Sequence, residues 1–336
     1  MKYDFDDIVI VPKNYTRINS RSEVNCYDEN HMLPIMTSPM DTVVDKNNSH
    51  DYINNRINIC MPRCSSDYNS DYTCDYFFIS ISLTDAENLA SIGTDEERYI
   101  CIDMANGHMP RLRNVIELFN KNCPNIKLIV GNIANPDSFA DFARYGVWGV
   151  RIGIGAGAGC TTSANTGVHY PYASLIEECY KIKTRFDFKT KIISDGGTRK
   201  FSDIIKAVAL GADIVMIGSL LNKSLQSCSD PYLWKLFRIR NKKLASWLFQ
   251  KKFKLYKKYR GMSTKEVQKK WGNTTLKTAE GISKWNCVEY DLYKWSENLT
   301  DYLKSAMSYV DAKTLDEFRG CHVEMITQNA FKRFNK

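Results

Sequence analysis

The stretch from Gly153 to Gly167, GIGAGAGCTTSANTG, contains residue types that can carry out covalent chemistry. Its alternating glycines give a backbone that can approach a ligand or an ion closely. Cys160 follows the glycines and precedes two threonines. A free thiol with a pKa of about 8.5 is only partly ionised at neutral pH, yet it is already a strong nucleophile. We therefore interpret Cys160 as a candidate nucleophile, with a structural cysteine in a tight turn as the alternative.

Two further polar and glycine-containing stretches follow apolar runs, Asp195-Gly196-Gly197 and Gly218-Ser219. Backbone N–H groups at such positions can point at an anion such as a phosphate group. An aspartate before two glycines can also accept hydrogen bonds from a ribose diol. A nucleotide monophosphate would satisfy both features. The alternative for Asp195 is a cap on the following helix.

Eight short apolar runs, rich in Ile and Val, must position these residues. They do not alternate between polar and apolar, which is typical of strands buried on both faces. The runs are Leu33–Met36, Ile57–Met61, Tyr76–Ile81, Tyr99–Met104, Ile126–Val130, Val147–Ile154, Lys191–Ser194 and Ile214–Ile217. Helical stretches are predicted at Met109–Asn120, Pro136–Tyr145, Tyr172–Arg185 and Ser202–Leu210. This alternation predicts an α/β fold, a (β/α)8 TIM barrel whose chemistry lies at the carboxyl ends of the strands.

The predicted organisation is a single domain over residues 1–336. It comprises an N-terminal segment (1–32), strands 1 to 8 (33–221), a basic helical insert (222–260), and a flap with a C-terminal helix and tail (261–336). The composition, 43% hydrophobic and 25% charged, excludes a disordered chain. Apolar runs are too short for a membrane helix, which predicts no membrane partner.

Eleven cysteines without a CxxC pair argue against a disulfide framework in a chain of this length. Cys60 and Cys64 are close in sequence but have no histidine cluster nearby, which argues against a zinc site. The opening MKYDFDDIVIVP is acidic and then apolar, the reverse of a secretory signal. These features predict a reducing, cytoplasmic location.

The net charge of +8 is unevenly distributed, because the segment from Pro231 to Lys265 contains many Lys and Arg residues and no acidic residue. A nucleic-acid surface is one interpretation. A solvated helix face and a cationic rim for a phosphorylated small molecule are the others. Since the Trp, Leu and Phe residues of the segment fit an amphipathic helix, we favour the latter pair and expect no specific nucleic-acid partner.

Several longer stretches, taken together, resemble the IMP dehydrogenase/GMP reductase family, in order and over nearly the whole chain. They are YDFDDIVIVP (3–12), SRSEV (20–24), LPIMTSPMDTV (33–43), CIDMANGH (101–108), GIGAGAGCTT (153–162), SDGGTRKFSDIIKAVALGADIVMIGSLL (194–221), YRGMS (259–263) and SAMSYVDAKTLDEF (305–318). The resemblance implies a barrel that binds a purine monophosphate and attacks its C2 through Cys160.

Within the family, the resemblance is greater to the reductases than to the dehydrogenases. The dehydrogenases usually carry a regulatory CBS insert after strand 2 and a long flap with an Arg-Tyr pair that activates water. Here only Pro62–Asp75 separate strands 2 and 3, and residues 263–279 contain no Arg-Tyr pair. SPMDTVVD, by contrast, resembles the dehydrogenase form. The resemblance implies NADPH-dependent reduction of GMP to IMP and ammonia by a homotetramer. An IMP dehydrogenase and a non-catalytic nucleotide-binding barrel are the alternatives.

The resemblance also implies roles for individual residues. Cys160, Thr162 and Glu280 would act in catalysis, although Glu280 could also be a turn residue. The implied substrate-binding residues are Asp195, Gly196, Gly197, Gly218, Ser219, Gly261, Met262, Ser263, Lys277 and Gly281. The implied cofactor-binding residues are Ser20, Arg21, Asp103, Met104, Ala105, Ile154 and Gly155. Gly155, Gly157, Cys160 and Ser163 would hold a potassium ion. The chain departs from the family pattern at Arg151, Ala156, Ser163, His169 and Lys277.

Overall fold

The computed structural model describes residues 1–63, 76–270, 278 and 280–334. The strands in these ranges are β1 (Ile8–Ile10), β2 (Ile35–Thr37), β3 (Ile59–Met61), β4 (Phe77–Ile81), β5 (Arg98–Asp103), β6 (Ile126–Ile133), β7 (Gly149–Ile152), β8 (Lys191–Asp195), β9 (Ile214–Ile217), β10 (Pro231–Leu233), β11 (Phe237–Arg238), β12 (Leu255–Arg260), β13 (Ser283–Cys287) and β14 (Val323–Met325). The helices are α1 (Ser49–Asn54), α2 (Leu83–Ile92), α3 (Pro110–Asn122), α4 (Pro136–Arg144), α5 (Thr162–Thr166), α6 (Tyr172–Arg185), α7 (Phe201–Ala209), α8 (Ser219–Asn222), α9 (Lys242–Gln250), α10 (Lys265–Lys270), α11 (Leu292–Tyr309), α12 (Leu315–Phe318) and α13 (Gln328–Phe334).

Strands β2 to β9 form one parallel sheet in the order β2-β9-β8-β7-β6-β5-β4-β3. A bridge between Met36 in β2 and Asn58, just before β3, joins the two ends of this sheet. The sheet therefore closes into a (β/α)8 barrel, and the predicted fold class is confirmed. Each of the eight predicted apolar runs overlaps one barrel strand.

The apolar side chains of the strands pack on both faces of the barrel, which explains why the strands do not alternate in sequence. One cluster fills the inside of the barrel, with Phe78 on β4 and Ile193 on β8 among its members. A larger cluster lies between the strands and the surrounding helices. In α3, for example, Leu112, Val115 and Phe119 are fully buried at the spacing of one helical face.

The basic segment is not the helical insert that the sequence predicts. After α8 ends at Asn222, α9 is the one α-helix up to residue 260. Strands β10, β11 and β12 form an antiparallel sheet with β13. In β12, Leu255, Lys257 and Tyr259 are buried and alternate with more exposed residues. The alternation is hard to recognise in the sequence, because a lysine, Lys257, occupies one of the buried positions. Its ammonium group does not face water and donates to the carbonyls of Ser224, Leu225 and Ser227.

The longest described helix, α11, packs on the barrel through one face. Trp295, Leu299 and Leu303 are buried there, and the ring of Phe201 on α7 packs against that of Trp295 at 5.4 Å between ring centroids. In the described ranges, no helix combines the length and the apolar character that crossing a bilayer requires.

Candidate active site

A cavity of about 310 Å³ opens at the carboxyl ends of the barrel strands. Among the described residues, every barrel strand except β4 contributes a lining residue at its end or in the loop that follows. The lining residues that the argument uses are Arg63, Asp103, Asn132, Arg151, Cys160, Thr162, Tyr172, Asp195, Gly197, Tyr259 and Glu280. The polar and glycine residues at the predicted strand ends are therefore gathered around one cavity.

Cys160 lies in the loop between β7 and α5, with its side chain half-buried at the cavity. The loop leaves β7 at Gly153, whose φ is 121°. A Cβ atom at this position would lie 2.0 Å from the hydroxyl of Tyr172. Only glycine therefore fits the start of the loop. The N–H of Cys160 donates to the Gly157 carbonyl at 2.8 Å, which closes the turn that presents the thiol.

Cys160, Thr162 and Glu280 form a continuous hydrogen-bonded chain. The Sγ atom of Cys160 is 3.2 Å from Thr162 Oγ1, and this hydroxyl is 2.5 Å from Glu280 Oε2. The thiol can donate to the hydroxyl, and the hydroxyl can donate to the carboxylate. A chain of this kind can carry a proton between a nucleophile and a carboxylate. The three residues with implied catalytic roles are thus in contact.

Backbone hydrogen bonds hold Glu280 beside the cysteine loop. The N–H of Thr161 donates to the Glu280 carbonyl at 2.8 Å. The N–H of Ile282 donates to the Gly159 carbonyl at 3.0 Å, and the N–H of Gly261 donates to the Ile282 carbonyl at 3.0 Å. The backbone around Glu280 is therefore hydrogen-bonded both to the cysteine loop and to the segment after β12. A turn residue on the surface would not need these two connections.

Asp195, at the end of β8, has one carboxylate oxygen directed to the protein. Among the described residues, Asn132 Nδ2 and Arg151 Nη2 both donate to Asp195 Oδ2, at 2.8 and 2.7 Å. These bonds leave Oδ1 for a ligand. The next helix, α7, begins at Phe201 and its N-cap residue is Lys200, five residues after Asp195. The alternative role of Asp195 as a helix cap is therefore wrong.

Arg151 on β7 is 5% exposed and bridges two carboxylates. Its Nη1 is 2.7 Å from Asp103 Oδ1, and its Nη2 is 2.7 Å from Asp195 Oδ2. Arg63 Nε also donates to Asp103 Oδ2 at 3.1 Å. Burial opposes ionisation of Asp103, but the charges of Arg151 and Arg63 lower its pKa below the usual value. Asp103 and Asp195 are consequently held as one charged network across β5, β7 and β8.

Several residues that line the cavity have no role in the sequence-based predictions, and those with polar side chains that the site uses are Arg63, Asn132, Arg151, Tyr172 and Tyr259. Two of these residues had a signal in the sequence that could have identified them: Asn132 follows a predicted strand, and Arg151 departs from the family pattern. The two tyrosines have no local signal. Tyr172 donates to the backbone carbonyl of Asp195 at 2.7 Å, and burial raises its pKa well above the usual value. Burial likewise raises the pKa of Tyr259.

The predicted site residues fall into three groups. Those that line the cavity are Asp103, Met104, Ala105, Ile154, Gly155, Gly157, Cys160, Thr162, Asp195, Gly196, Gly197, Gly218, Ser219, Gly261, Met262, Ser263, Glu280 and Gly281. Ser20, Arg21 and Ser163 are described but do not line it. Both Ser20 and Arg21 are exposed; Ser20 caps a short 3-10 helix, Arg21–Glu23, that contacts α11. Lys277 lies outside the described residues.

The oxygen atoms implied in potassium binding have suitable chemistry. The Gly155 carbonyl accepts the Ser163 hydroxyl at 2.8 Å, and the Gly157 carbonyl accepts the Cys160 N–H at 2.8 Å. Each carbonyl oxygen has two lone pairs, so one remains on each for a cation. Carbonyl and hydroxyl oxygens are ligands that potassium accepts. Within the described ranges, no group of three or more His, Cys, Asp or Glu side chains could hold a metal ion.

The fold and the cavity define a (β/α)8 barrel with a cysteine loop after its sixth strand and carboxylates at the ends of β5 and β8. The family model of the IMP dehydrogenase/GMP reductase domain matches residues 79–334. The chain therefore belongs to the IMP dehydrogenase/GMP reductase family. This is a family of oxidoreductases, which supports an enzymatic role for the chain.

Individual relatives include both branches of the family. Human GMP reductase 2 is 27% identical over 341 residues, which cover 94% of this chain and 92% of that protein. The GMP reductase of Albidiferax ferrireducens is 29% identical over 239 residues, with 65% of this chain and 70% of that protein covered. The inosine-5'-monophosphate dehydrogenase of Chlorobaculum parvum is 28% identical over 240 residues, which cover 71% of this chain but 47% of the dehydrogenase.

Proposed function

We propose that this protein is a GMP reductase, which converts GMP to IMP and ammonia with NADPH as the reductant. The observation that carries the proposal is the chain of hydrogen bonds from the Cys160 thiol through Thr162 to Glu280. A nucleophile coupled to a proton carrier suits a substitution in which an amino group must leave as ammonia.

In the first half of the reaction, Cys160 Sγ forms a bond to C2 of GMP, and the bond from C2 to the exocyclic nitrogen breaks. The thiol proton passes to the Thr162 hydroxyl and the Glu280 carboxylate, and it leaves on the nitrogen as ammonia. The product is a covalent thioimidate between Cys160 and the purine. Forming this species divides one difficult substitution into two easier steps.

In the second half, a bound nicotinamide cofactor would supply the hydride that C2 receives. The bond between Cys160 Sγ and C2 breaks, so IMP leaves and the thiolate regains one proton from solution. The role of Thr162 and Glu280 in this half is to return that proton to the sulfur. Because the carboxylate accepts from the hydroxyl at 2.5 Å, the same contact serves both directions of transfer.

The substrate would be held by its ribose and its phosphate. Asp195 Oδ1 can accept from the ribose diol, while Arg151 and Asn132 keep the other oxygen in place. The backbone at Gly196, Gly197, Gly218, Ser219, Gly261, Met262, Ser263 and Gly281 would surround the phosphate and the base. The N–H groups of Gly197 and Gly261 already donate to the carbonyls of Ala156 and Ile282, so these two glycines would serve by letting the ligand approach the backbone closely. The family resemblance alone supports Lys277 as a further substrate ligand.

The cofactor would lie in the same cavity, against Met104, Ala105, Ile154 and Gly155. Because both carboxylate oxygens of Asp103 accept from arginines, its role would be to position Arg151 and the adjoining backbone. Ser20 and Arg21 do not line this cavity, and we propose that they contact the dinucleotide bound to a neighbouring copy. This agrees with a proposed homotetramer.

Potassium would hold the shape of the cysteine loop through Gly155, Gly157, Cys160 and Ser163, and it takes no part in bond making. We further propose a cytoplasmic location, in line with the free thiols of the nine cysteines that the structure describes.

Absorbance at 340 nm with purified protein tests the proposal. The expected result is NADPH loss that requires GMP. An absorbance gain with IMP and NAD, at a rate equal to or above GMP reduction, would assign an IMP dehydrogenase instead. Tight GMP binding without either change would assign a non-catalytic nucleotide-binding barrel.

The proposed potassium site has a separate test. Omitting potassium should lower the thermal midpoint of the protein, whereas equal midpoints in sodium and in potassium would argue against the cation site.

A further inference from the structure

The turn between β10 and β11 exposes large apolar side chains. Residues 234–237, which we call the hairpin tip, read Trp-Lys-Leu-Phe. Trp234 is 63% exposed, Leu236 is 76% exposed and Phe237 is 61% exposed. Single exposed apolar residues are ordinary, but several adjacent ones at a turn are typical of a binding surface. The expectation that the Trp, Leu and Phe residues of the basic segment form the buried face of a helix is wrong for these three.

The backbone of the hairpin tip does not favour these side chains. The N–H of Leu236 donates to the Leu233 carbonyl at 3.1 Å, which closes a four-residue turn. Its central residues, Trp234 and Lys235, have left-handed φ values of 51° and 64°. Asn and Gly are the residues that such turns prefer, and bulky side chains are uncommon there. The composition of the tip is therefore better explained by binding than by folding.

Helix α9, in the same basic segment, also exposes an apolar face. Ala245 and Leu248 are buried in a small core with Leu255 of β12. Leu244 and Trp247, three residues apart, are 46% and 52% exposed. Residues three apart lie side by side on a helix, so this second apolar strip is continuous. The hairpin tip and this strip belong to one packed unit, because α9 packs on β12 and β12 pairs with β10. We call the two together the hairpin–α9 surface.

The charge of the segment specifies the kind of partner. Exposed basic residues in and beside the hairpin–α9 surface include Lys235, Arg240, Lys242, Lys243, Lys251 and Lys252. No acidic residue occurs between Pro231 and Lys265. A partner must therefore present negative charge together with an apolar layer. Nucleic acid offers phosphates and bases for the aromatic rings, but leaves Leu236 and Leu244 without an apolar partner. An anionic bilayer offers both charged headgroups and an acyl layer.

We propose that the hairpin–α9 surface binds peripherally to a membrane that contains anionic phospholipids. Trp234, Leu236 and Phe237 enter the boundary between headgroups and acyl chains, and the surrounding Lys and Arg side chains contact the headgroups. The expectation of no membrane partner rested on the absence of a spanning helix. Peripheral binding requires none, because affinity comes from apolar burial and headgroup attraction.

Sedimentation of the full-length protein with lipid vesicles tests this inference. Vesicles of phosphatidylcholine with phosphatidylserine should bind it at physiological salt, and vesicles of phosphatidylcholine alone should bind it at least roughly tenfold more weakly. The double variant Trp234→Ser/Leu236→Ser keeps every charge and should lose roughly tenfold or more of the binding to the anionic vesicles. The matched control is Tyr15→Ser/Ile92→Ser, which removes side chains that are 71% and 83% exposed elsewhere. It should bind as the unmodified protein does.

A second variant, Lys251→Gln/Lys252→Gln, tests the charge without disturbing the turn, and it should weaken binding and its dependence on salt. Equal binding to both kinds of vesicle, no binding to either, or equal losses in the apolar variant and its control would overturn the proposal. Submicromolar binding of a single-stranded oligonucleotide at physiological salt, lost in Trp234→Ser/Leu236→Ser, would assign the surface to nucleic acid and overturn it as well.

Discussion

Replacing Thr162 with valine removes the hydroxyl group that joins the Cys160 thiol to the Glu280 carboxylate. Valine has nearly the same shape, so the cysteine loop should keep its fold. The thiol then loses its acceptor at 3.2 Å, and the carboxylate loses its donor at 2.5 Å. Loss of a positioned proton carrier typically lowers a rate by about 10²–10⁴, which corresponds to about 2.7–5.5 kcal/mol of barrier.

The arrangement of the three groups in one chain gives a sharper expectation for the double variant. If the proton passes through Thr162 to Glu280, removing either residue breaks the same path. Thr162→Val/Glu280→Gln should then be no slower than the worse single variant, with a coupling energy of about 2.7–5.5 kcal/mol. Independent roles would instead multiply to about 10⁴–10⁸-fold.

The assay is GMP-dependent NADPH oxidation followed at 340 nm under single-turnover conditions. Thr162→Ser keeps the hydroxyl and should stay within about tenfold of the unmodified protein, which separates the chemical effect from the packing effect. The thermal midpoint of each variant checks folding. A Thr162→Val rate within about threefold of the original, or multiplicative losses in the double variant, would refute the proton path.

Three further variants test separate parts of the site. Cys160→Ala should abolish turnover and keep calorimetric GMP affinity within about threefold, since the thiol and the glycines proposed to bind the phosphate lie on different loops; residual activity above about 1% would exclude a covalent mechanism. Gly197→Val places a Cβ 3.3 Å from the Tyr172 ring at φ 76° and should weaken GMP binding. Its control, Gly167→Val, has a similar strain of about 1–2 kcal/mol at φ 72° with no neighbour within 4 Å; equal affinities would remove Gly197 from the site. The pKa of Asp103 is lowered in the fold, so its ionised form adds stability above the unfolded value of 3.8 and loses it as pH falls through the folded value. Asp103→Asn should therefore lose about 3–5 kcal/mol at neutral pH and show a smaller further loss in acid during denaturant unfolding; parallel pH profiles would contradict the ion pair.

The features that could be predicted from the sequence are those set by local chemistry or by burial. The barrel strands were recognisable because both of their faces are buried, which produces apolar runs in the sequence. The position of Cys160 was recognisable because its loop glycines are adjacent to it in the chain. More than a hundred residues separate Thr162 from Glu280, so only the family resemblance, and no local pattern, assigned these two residues to one catalytic site.

The features that could not be predicted depend on contacts between distant segments. The bridge from Arg151 to Asp103 and Asp195 requires β5, β7 and β8 to be placed around one barrel. In β12 the buried Lys257 conceals the alternation of the strand. Its ammonium group donates to backbone carbonyls of a distant segment, and the sequence does not show that these carbonyls lie nearby. The hairpin tip was misread for the opposite reason. Its apolar residues were assumed to be buried, yet they are exposed.

The most direct test of the account uses GMP labelled with ¹⁵N at the exocyclic amino group. Incubation with NADPH should release one labelled ammonium ion and one IMP for each NADPH consumed, and the Cys160→Ala variant should release none. This stoichiometry follows from a single cycle in which the thioimidate forms and is then reduced. Labelled GMP that stays intact, or XMP formation from IMP and NAD at a rate matching GMP consumption, would contradict the assignment.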